Sequence, residues 1–343
     1  MPRSFTDTND INREEWNALV NTASTGTWFQ SPDAYGFFLS LPKLFRPFAV
    51  GVVHNERLRG ICVGYVTVER NPIKQFFTRR AIILGGPALA DDATEEEVRM
   101  LMTAVKRCLS TPSAVHSARL ATPIYIETRN FNDYSWWRGA FETAGFAYQP
   151  HLNFHVDTNS ATMDETLSDN RKRQLKKAQS AVTISEAQSE QEIHEWYDIL
   201  RNLYLTKVKT PLFPVDFFLQ FYHMQLGKIL LVKYDGKIIG GSMIAAQTGK
   251  CLYEWFECGL NTDYREFYPS VMATYAGMRY AYEHGFARYD MMGAGEPDKP
   301  YGVRDFKAEF GGKLVEQGRF LYVANSILYR IGAIGVALMK RRR

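Results

Sequence analysis

The sequence predicts an α/β protein built as two similar domains in tandem. Three observations carry that expectation: the length of the chain, a strand–turn–strand pattern found once in each half, and a helix–glycine–strand pattern found twice. With 343 residues, 45% of them hydrophobic, the chain is too long for one ordinary domain and apolar enough for two cores. In the first half, residues 48–53 lead through His54-Asn55-Glu56-Arg57 into residues 58–65. In the second, residues 229–234 lead through Asp235-Gly236 into residues 237–244. Each is an apolar strand, a tight turn and a second strand, and Asp-Gly is a strong hairpin signal. The other pattern runs from Phe141 through Gly145 to Tyr148, and from Tyr280 through Gly285 to Tyr289; glycine is favoured just past a helix end. Repetition at about half the chain length points to a duplicated α/β domain. The polar stretch 157–162 marks a boundary. The expected domains are therefore 1–157 and 158–325, with 326–343 as a C-terminal helix.

The charge is nearly balanced. Forty-one Lys and Arg against 37 Asp and Glu leave +4, so any polyanion site is a local patch and the chain is no general nucleic-acid coat. Cys62, Cys108, Cys251 and Cys258 have no Cys-x-x-Cys spacing and are expected as buried thiols in a reducing compartment. The first ten residues are polar and acidic, unlike a signal peptide, and no apolar run reaches the roughly 20 residues of a spanning helix, so a cytoplasmic protein is expected. The nearest run, 327–338, places Ile327, Leu328, Ile331, Ile334, Leu338 and Met339 on one face, with Lys340-Arg341-Arg342-Arg343 behind it. That pattern fits a helix docked on the body with a solvated basic end, or one adsorbed to an anionic membrane. The seven histidines are scattered and no Ser-His-Asp or Cys-His pattern occurs, so neither a metal site nor a covalent intermediate is expected.

Two segments carry chemistry. In Phe306-Lys307-Ala308-Glu309-Phe310-Gly311-Gly312, one lysine lies between aromatic residues and the run ends in a glycine pair. A partly desolvated lysine acts strongly on a phosphate or a developing oxyanion, and glycines let the backbone turn or approach a ligand. The alternative is a strand end with two core phenylalanines and a turn. Earlier, Ser168 or Asp169 can cap a helix carrying Arg171, Lys172, Arg173, Lys176 and Lys177, five cations in seven residues. They fit a phosphate grip or a solvated helix face.

Tyr289-Asp290 through Gly293, then Tyr301-Gly302, Phe306-Lys307 and Phe310-Gly311 resemble the signature of the Fem-type aminoacyltransferases, which build peptidoglycan cross-bridges from aminoacyl-tRNA. The resemblance implies two tandem GNAT-like domains of the acyl-CoA N-acyltransferase fold, each a twisted mixed sheet flanked by helices. It also implies a basic helix opening the second domain. In acetyltransferases of that fold, a glycine-rich loop before a helix holds the coenzyme A pyrophosphate. The corresponding place here reads Arg265-Glu266-Phe267-Tyr268-Pro269-Ser270, with Tyr268 and Ser270 at the glycine positions and Pro269 lacking an amide proton. Pro269 is equally a good first-turn residue of the following helix. Fem-type chains show the same loss, so the implied donor is aminoacyl-tRNA with no bound cofactor, and acyl-CoA is the alternative. Phe29-Gln30-Ser31-Pro32 resembles an early segment of the family, but the tryptophan and nearby lysine that normally follow are replaced by Tyr35, Phe37, Phe38 and Leu39, with Lys43 the first cation. The long helical arm of some members is also missing from residues 165–230.

On this resemblance Lys307 stabilises the oxyanion formed when an amine attacks an aminoacyl ester. Phe306 directs that lysine and Asp290 orients the amine, or serves only as a strand-end hydrogen-bonding residue. Tyr301 is the candidate hydroxyl for the leaving group. Arg171, Lys172, Arg173, Lys176, Lys177, Arg265, Tyr268, Gly293, Phe310, Gly311 and Gln30 are the expected substrate contacts. The implied partners are aminoacyl-tRNA, a lipid-linked or nucleotide-linked envelope precursor, and an anionic membrane met by the C-terminal tail. Two other functions fit: a CoA-dependent N-acyltransferase acting on an envelope sugar or amine, and a non-catalytic module binding RNA or anionic lipid.

Overall fold

The two strand–turn–strand segments form hairpins at the hearts of two separate sheets. A computed structural model describes residues 2–5, 10–110, 122–159 and 161–341, without the side chains of 161, 162 and 335–341. The chain divides into two units. Unit 1 holds residues 1–150 and 317–343, and unit 2 holds 151–316.

Unit 1 runs β1 (Arg3–Phe5), α1 (Arg13–Thr22), α2 (Pro32–Leu39), β2 (Phe45–His54), β3 (Arg57–Thr67), α3 (Pro72–Thr78), β4 (Ala81–Gly85), β5 (Ala88–Leu89), α4 (Glu95–Ser110), β6 (Tyr125–Asn130), α5 (Arg138–Thr143) and β7 (Ala147–Gln149). Unit 2 follows with β8 (Leu152–Asp157), α6 (Asp169–Ala178), β9 (Val182–Glu186), α7 (Glu190–Leu203), α8 (Val215–His223), β10 (Gly227–Tyr234), β11 (Lys237–Gln247), β12 (Cys251–Gly259), α9 (Pro269–Glu283), β13 (Arg288–Gly293), α10 (Gly302–Ala308) and β14 (Lys313–Glu316). The chain then returns to unit 1 as β15 (Arg319–Val323) and α11 (Ser326–Arg341).

The sheet orders are β1-β2-β3-β4-β6-β15-β7 and β14-β8-β13-β12-β11-β10-β9. They explain why the boundaries expected at 157/158 and 325/326 lie instead at 150/151 and 316/317. β8 pairs with β13 and β14, and β15 pairs with β6 and β7. Strand partners, not linker polarity, therefore decide which unit each strand joins. They also correct one of the two repeats. α9 joins the parallel strands β12 and β13, whereas α5 leads to the outermost strand β7, so their glycines are local caps at unequal places in the topology. Both glycines do take positive φ, 89° at Gly145 and 71° at Gly285.

Helices cover apolar faces in both units. In unit 1, Val98, Leu101, Met102 and Val105 of α4 pack with Phe48, Val50, Ile83 and Ile126 of the sheet, while Phe141 stacks on Phe320 with centroids 4.0 Å apart. In unit 2, Met272, Ala276 and Met278 of α9 pack with Ile244, Leu252 and Tyr289. All four cysteines are free and buried, and burial pushes their thiols up, Cys108 and Cys251 to about 11. Residues 165–230 form α6, β9, α7 with a π-helical extension over Tyr204–Val208, α8 and the start of β10, with no long helical arm. Among the described residues no helix is long and apolar enough to cross a membrane. Met1, residues 6–9, Arg342 and Arg343 of the two expected tails lie outside the described residues, as do the side chains of Leu338, Met339, Lys340 and Arg341.

Candidate functional site

β12 and β13 run parallel for only three pairs, Cys251 with Arg288, Leu252 with Tyr289 and Tyr253 with Asp290. Beyond Asp290 the register of β13 against β8 shifts, and Met292 adopts a left-handed φ of 59°. Asp290 holds that bend, because its Oδ1 accepts from the Met292 amide at 2.7 Å. The bend turns two carbonyls toward Lys307, whose Nζ donates to Met291 O and, at 2.8 Å, to Gly293 O. Lys307 thus stands where the parallel pair opens, on a lysine-bearing helix packed over the strand end.

Three carboxylates share this region with Lys307. β12 gains one residue relative to β11: Phe256 pairs with Met243 and Glu254 with Ile244, leaving Trp255 as a bulge. The bulge sets Trp255 and Phe256 together against Phe217 of α8, and it brings Glu254 and Glu257 to the opposite face. Glu254 accepts from the Tyr289 hydroxyl at 2.9 Å, and burial raises its carboxyl. Glu257 is pushed up to about 8 by burial and by Glu254, and its Oε1 is sealed from solvent without a hydrogen bond. Burial lowers Lys307, against the pull of Glu254, Asp290 and Glu257. Burial alone would raise Asp290, but His155, Arg288 and the Met292 amide hold it below the usual carboxylate range. Its Oδ2 lies 3.2 Å from His155 Nε2, outside hydrogen-bonding alignment.

The other expected site residues divide into those that build the unit and those that face solvent. Phe306 does not direct Lys307. With Phe310, which it meets edge-on at 5.2 Å, it packs against Arg171, whose guanidinium carbon lies 4.7 and 4.4 Å from the two ring centres. Arg171 is buried, donates to Phe306 O at 3.0 Å and to Gln174 at 2.6 Å, and so cannot grip a phosphate. Gly311 and Gly312 have positive φ and turn α10 into β14. A Cβ on Gly311 would meet Thr166 Oγ1 at 2.4 Å, so its role is close packing. The run is therefore a helix followed by a turn, not a strand end. Asp290, fully buried, shapes the strand bend and has no open edge from which to orient an amine. Gln30 is also fully buried, and it donates to Val63 O and Leu84 O and accepts from Val63 N, bracing unit 1 where β3 and β4 diverge.

Lys172, Arg173, Lys176 and Lys177 are exposed along α6, which Ser168 caps by accepting from Arg171 N. Lys172 and Lys176 border an open pocket of about 300 Å³ also lined by Asp164, Glu165 and Tyr275. Tyr301 is exposed at the start of α10, and Arg265 is exposed beside the half-buried Tyr268. Tyr268 takes φ 47° before Pro269 begins α9, and Asn261 accepts from Ser270 N at 3.1 Å while donating to Ser270 Oγ at 2.7 Å. The first two backbone positions of α9 therefore offer no amide to a ligand. Gly259 permits this closure, since a Cβ there would lie 2.5 Å from Ser270 N.

Sequence reasoning missed Glu254, Glu257, His155 and Arg304. The signal for the glutamates was present, as two acidic residues inside the apolar strand 251–259. Arg304 sits one turn before Lys307 and donates to the carbonyls of Ala294, Glu296, Pro297 and Lys299, binding the loop after β13 to α10. A polar loop with two prolines gave no hint of it.

Comparison with known proteins bears on this frame. Residues 165–307 match the family model described as an acetyltransferase (GNAT) domain. Over 102 residues the chain is 37% identical to a lipid II:glycine glycyltransferase of Staphylococcus saprophyticus subsp. saprophyticus, covering 28% of this chain and 24% of that protein. A protein of the same name from Staphylococcus haemolyticus is 35% identical over 108 residues, covering 30% and 25%. The matches thus span about a quarter of the length of these curated relatives. The crystal structure of FemX superposes with a TM-score of 0.71 over 96% of this chain and 99% of that one, at 14% identity. The chain has the two-domain fold of FemX and resembles the glycyltransferases over part of its length. A tandem GNAT protein from the clavulanic acid biosynthesis pathway shares the fold at a TM-score of 0.58 and 9% identity, covering 94% of this chain and 98% of its own. Both units accordingly have the GNAT fold, and the opened parallel pair belongs to the domain that the family model matches.

Proposed function

We propose that this protein is an aminoacyltransferase that moves an aminoacyl group from aminoacyl-tRNA to an amine of a lipid-linked or nucleotide-linked peptidoglycan precursor. The observation that carries the reading is the setting of Lys307. An ammonium has three protons. Two go to Met291 O and Gly293 O, which fix its direction, and the third is left for an oxyanion in a water-poor opening of the sheet. In the reaction the amine nitrogen attacks the ester carbonyl and a tetrahedral oxyanion forms. The carbon–oxygen bond to ribose then breaks, and the amine proton passes to the departing hydroxyl.

Two further observations favour this donor and this acceptor. The start of α9 has Pro269 without an amide proton and Ser270 bonded to Asn261, so the place where a CoA-dependent relative would hold pyrophosphate is already filled. The curated relatives are named for glycine transfer onto lipid II, and this chain is 37% identical to one of them over 102 residues. An acceptor on a lipid carrier places the protein at the inner face of the membrane, where the C-terminal helix α11 would meet it. The test is transfer from labelled aminoacyl-tRNAs and, separately, from acetyl-CoA onto a lipid-linked peptidoglycan precursor. Transfer from tRNA alone, lost in Lys307→Ala, is expected. Transfer from acetyl-CoA alone would replace this reading with that of a CoA-dependent N-acyltransferase.

A further inference from the structure

Unit 1 carries an apolar patch for which the transfer reaction has no use. Helix α3 buries none of its residues, and Ile73, Phe76 and Phe77 are all exposed, Ile73 by 72%. It is nevertheless a built helix: Asn71 accepts from the amides of Ile73 and Lys74, and Pro72 opens the first turn. So short a helix with no buried face returns little of the entropy spent in ordering it. α11 packs against α3, with a Cβ placed on Gly332 lying 4.0 Å from Phe77 O. Leu328, buried, and Tyr329, edge-on to Tyr125, hold one side of α11 to unit 1. Ile327, Ile331 and Ile334, spaced by four and three residues, share the other side and are exposed. Of the 14 exposed large hydrophobic side chains among the described residues, six lie on these two adjoining helices, so the clustering is not ordinary surface scatter.

The charge around the patch has one sign. Residues 68–80 hold Arg70, Lys74, Arg79 and Arg80 against Glu69 alone, and residues 324–343 hold Arg330 and Lys340-Arg341-Arg342-Arg343 with no acidic residue. Arg79 is buried on the carbonyls of Phe76 and Thr122, and Lys74 pairs with Glu69. Arg70 and Arg330 are exposed on these two segments, in a chain whose net charge is only +4. A second copy would bring cations against cations, and interface cores between proteins are depleted of lysine. An anionic bilayer satisfies both features, because its interface takes apolar side chains and its phosphates take the cations.

We propose that α3 and α11 together form a surface by which unit 1 adsorbs to an anionic lipid bilayer. The tail alone is one signal and α3 supplies the second, as stable adsorption requires. This surface deepens the proposed function and rests on it for its purpose, but vesicle binding is read without any transfer reaction, so either can fail alone. The full chain is floated with vesicles of phosphatidylcholine, with and without about a quarter phosphatidylglycerol, at low and high salt. Binding is expected with phosphatidylglycerol, weak without it, and reduced by salt. The double variants Ile73→Ser/Phe77→Ser and Ile327→Ser/Ile331→Ser should each weaken it by about tenfold or more with melting temperatures unchanged, since the side chains are exposed. The proposal falls if the protein does not float with anionic vesicles, or if only the tail variant matters. It falls equally if light scattering shows a dimer that the same variants disperse without any vesicle binding.

Discussion

The two units share a hairpin almost residue for residue and differ in the parallel pair beside it. In β2–β3, His54 faces Arg57, Val53 faces Leu58, and Val52 faces Gly60, leaving Arg59 as an extra residue. In β10–β11, Tyr234 faces Lys237, Lys233 faces Ile238, and Val232 faces Gly240, leaving Ile239 extra. The bulge and the glycine after it recur in the same place. The parallel pairs part company. β4 and β6 stay joined over five pairs in unit 1, from Ala81 with Ile126 to Gly85 with Asn130, while β12 and β13 open after three. The buried charges differ to match. In unit 1, Glu127 is bonded to Arg129 and Arg319 at 2.9 Å each, which hold its carboxyl below the usual range despite burial. In unit 2, Glu257 keeps an oxygen with no hydrogen bond and Lys307 keeps a proton to give. Of the duplicated frames, the one that opens its parallel pair early and leaves Glu257 an unbonded oxygen is the one in which the proposed chemistry lies.

The sharpest way to break this comparison is to remove the lysine at the opening. Lys307→Ala should lower transfer by about 10²–10³-fold, on the order of 3 kcal/mol of transition-state stabilisation, as removal of one oxyanion donor does elsewhere. Single-turnover transfer from bound aminoacyl-tRNA is the measurement, because it separates the chemical step from binding. An unchanged single-turnover rate would leave the opened pair a structural feature and move the chemistry elsewhere.

The next effect is on stability and has a defined pH dependence. An unfolded glutamate titrates near 4.5, and folded Glu257 near about 8. Between those values the folded chain holds one proton more than the unfolded chain, so this group's share of stability falls as pH rises through the window and is constant above it. Glutamine carries no such cost. The gain of Glu257→Gln over wild type should therefore grow from pH 5 to about 8.5, reaching a few kcal/mol in order of magnitude, and melting temperatures across that range measure it. A constant difference would show Glu257 ionising in the fold as it does in water. The matching change in unit 1 is smaller. Arg319→Met removes one of two cations from Glu127, should lower the stability of unit 1 by about 1–2 kcal/mol in urea, and should leave the transfer rate of folded protein unchanged.

Much of the frame was legible in the sequence, because hairpins and glycine caps are decided by neighbours in the chain. Asp235-Gly236 and Asn55-Glu56 announce their turns, and Ser168 caps α6 as its position implies. Lys307 was legible through its aromatic neighbours, but the reason those neighbours are there was not. Phe306 and Phe310 face Arg171, more than a hundred residues away, and only the fold brings that guanidinium against them. The strand exchange at 150/151 and 316/317 was hidden for a related reason: β7, β14 and β15 are three to five residues long, and their membership depends on partners that no local pattern names.

The smallest expected effect tests whether the two hairpins are equivalent in energy as well as in register. Both turns place two residues at positive φ, 49° and 62° at Asn55 and Glu56, and 48° and 75° at Asp235 and Gly236. A left-handed conformation costs a glutamate about 1 kcal/mol and a glycine almost nothing. Glu56 is exposed, so its replacement by glycine removes that strain without breaking a packing contact, while part of the gain is lost to the greater freedom of glycine in the unfolded chain. Glu56→Gly should stabilise unit 1 by about 0.5 kcal/mol, and Gly236→Ala should destabilise unit 2 by about 1 kcal/mol, each read from the shift of its urea midpoint at constant slope. A Cβ on Gly236 meets no other atom, so that loss would report backbone conformation alone. Opposite signs at the two turns would mean that the units share a backbone requirement and that only unit 2 retains the residue best suited to it; equal signs would mean that the common register hides different local energetics.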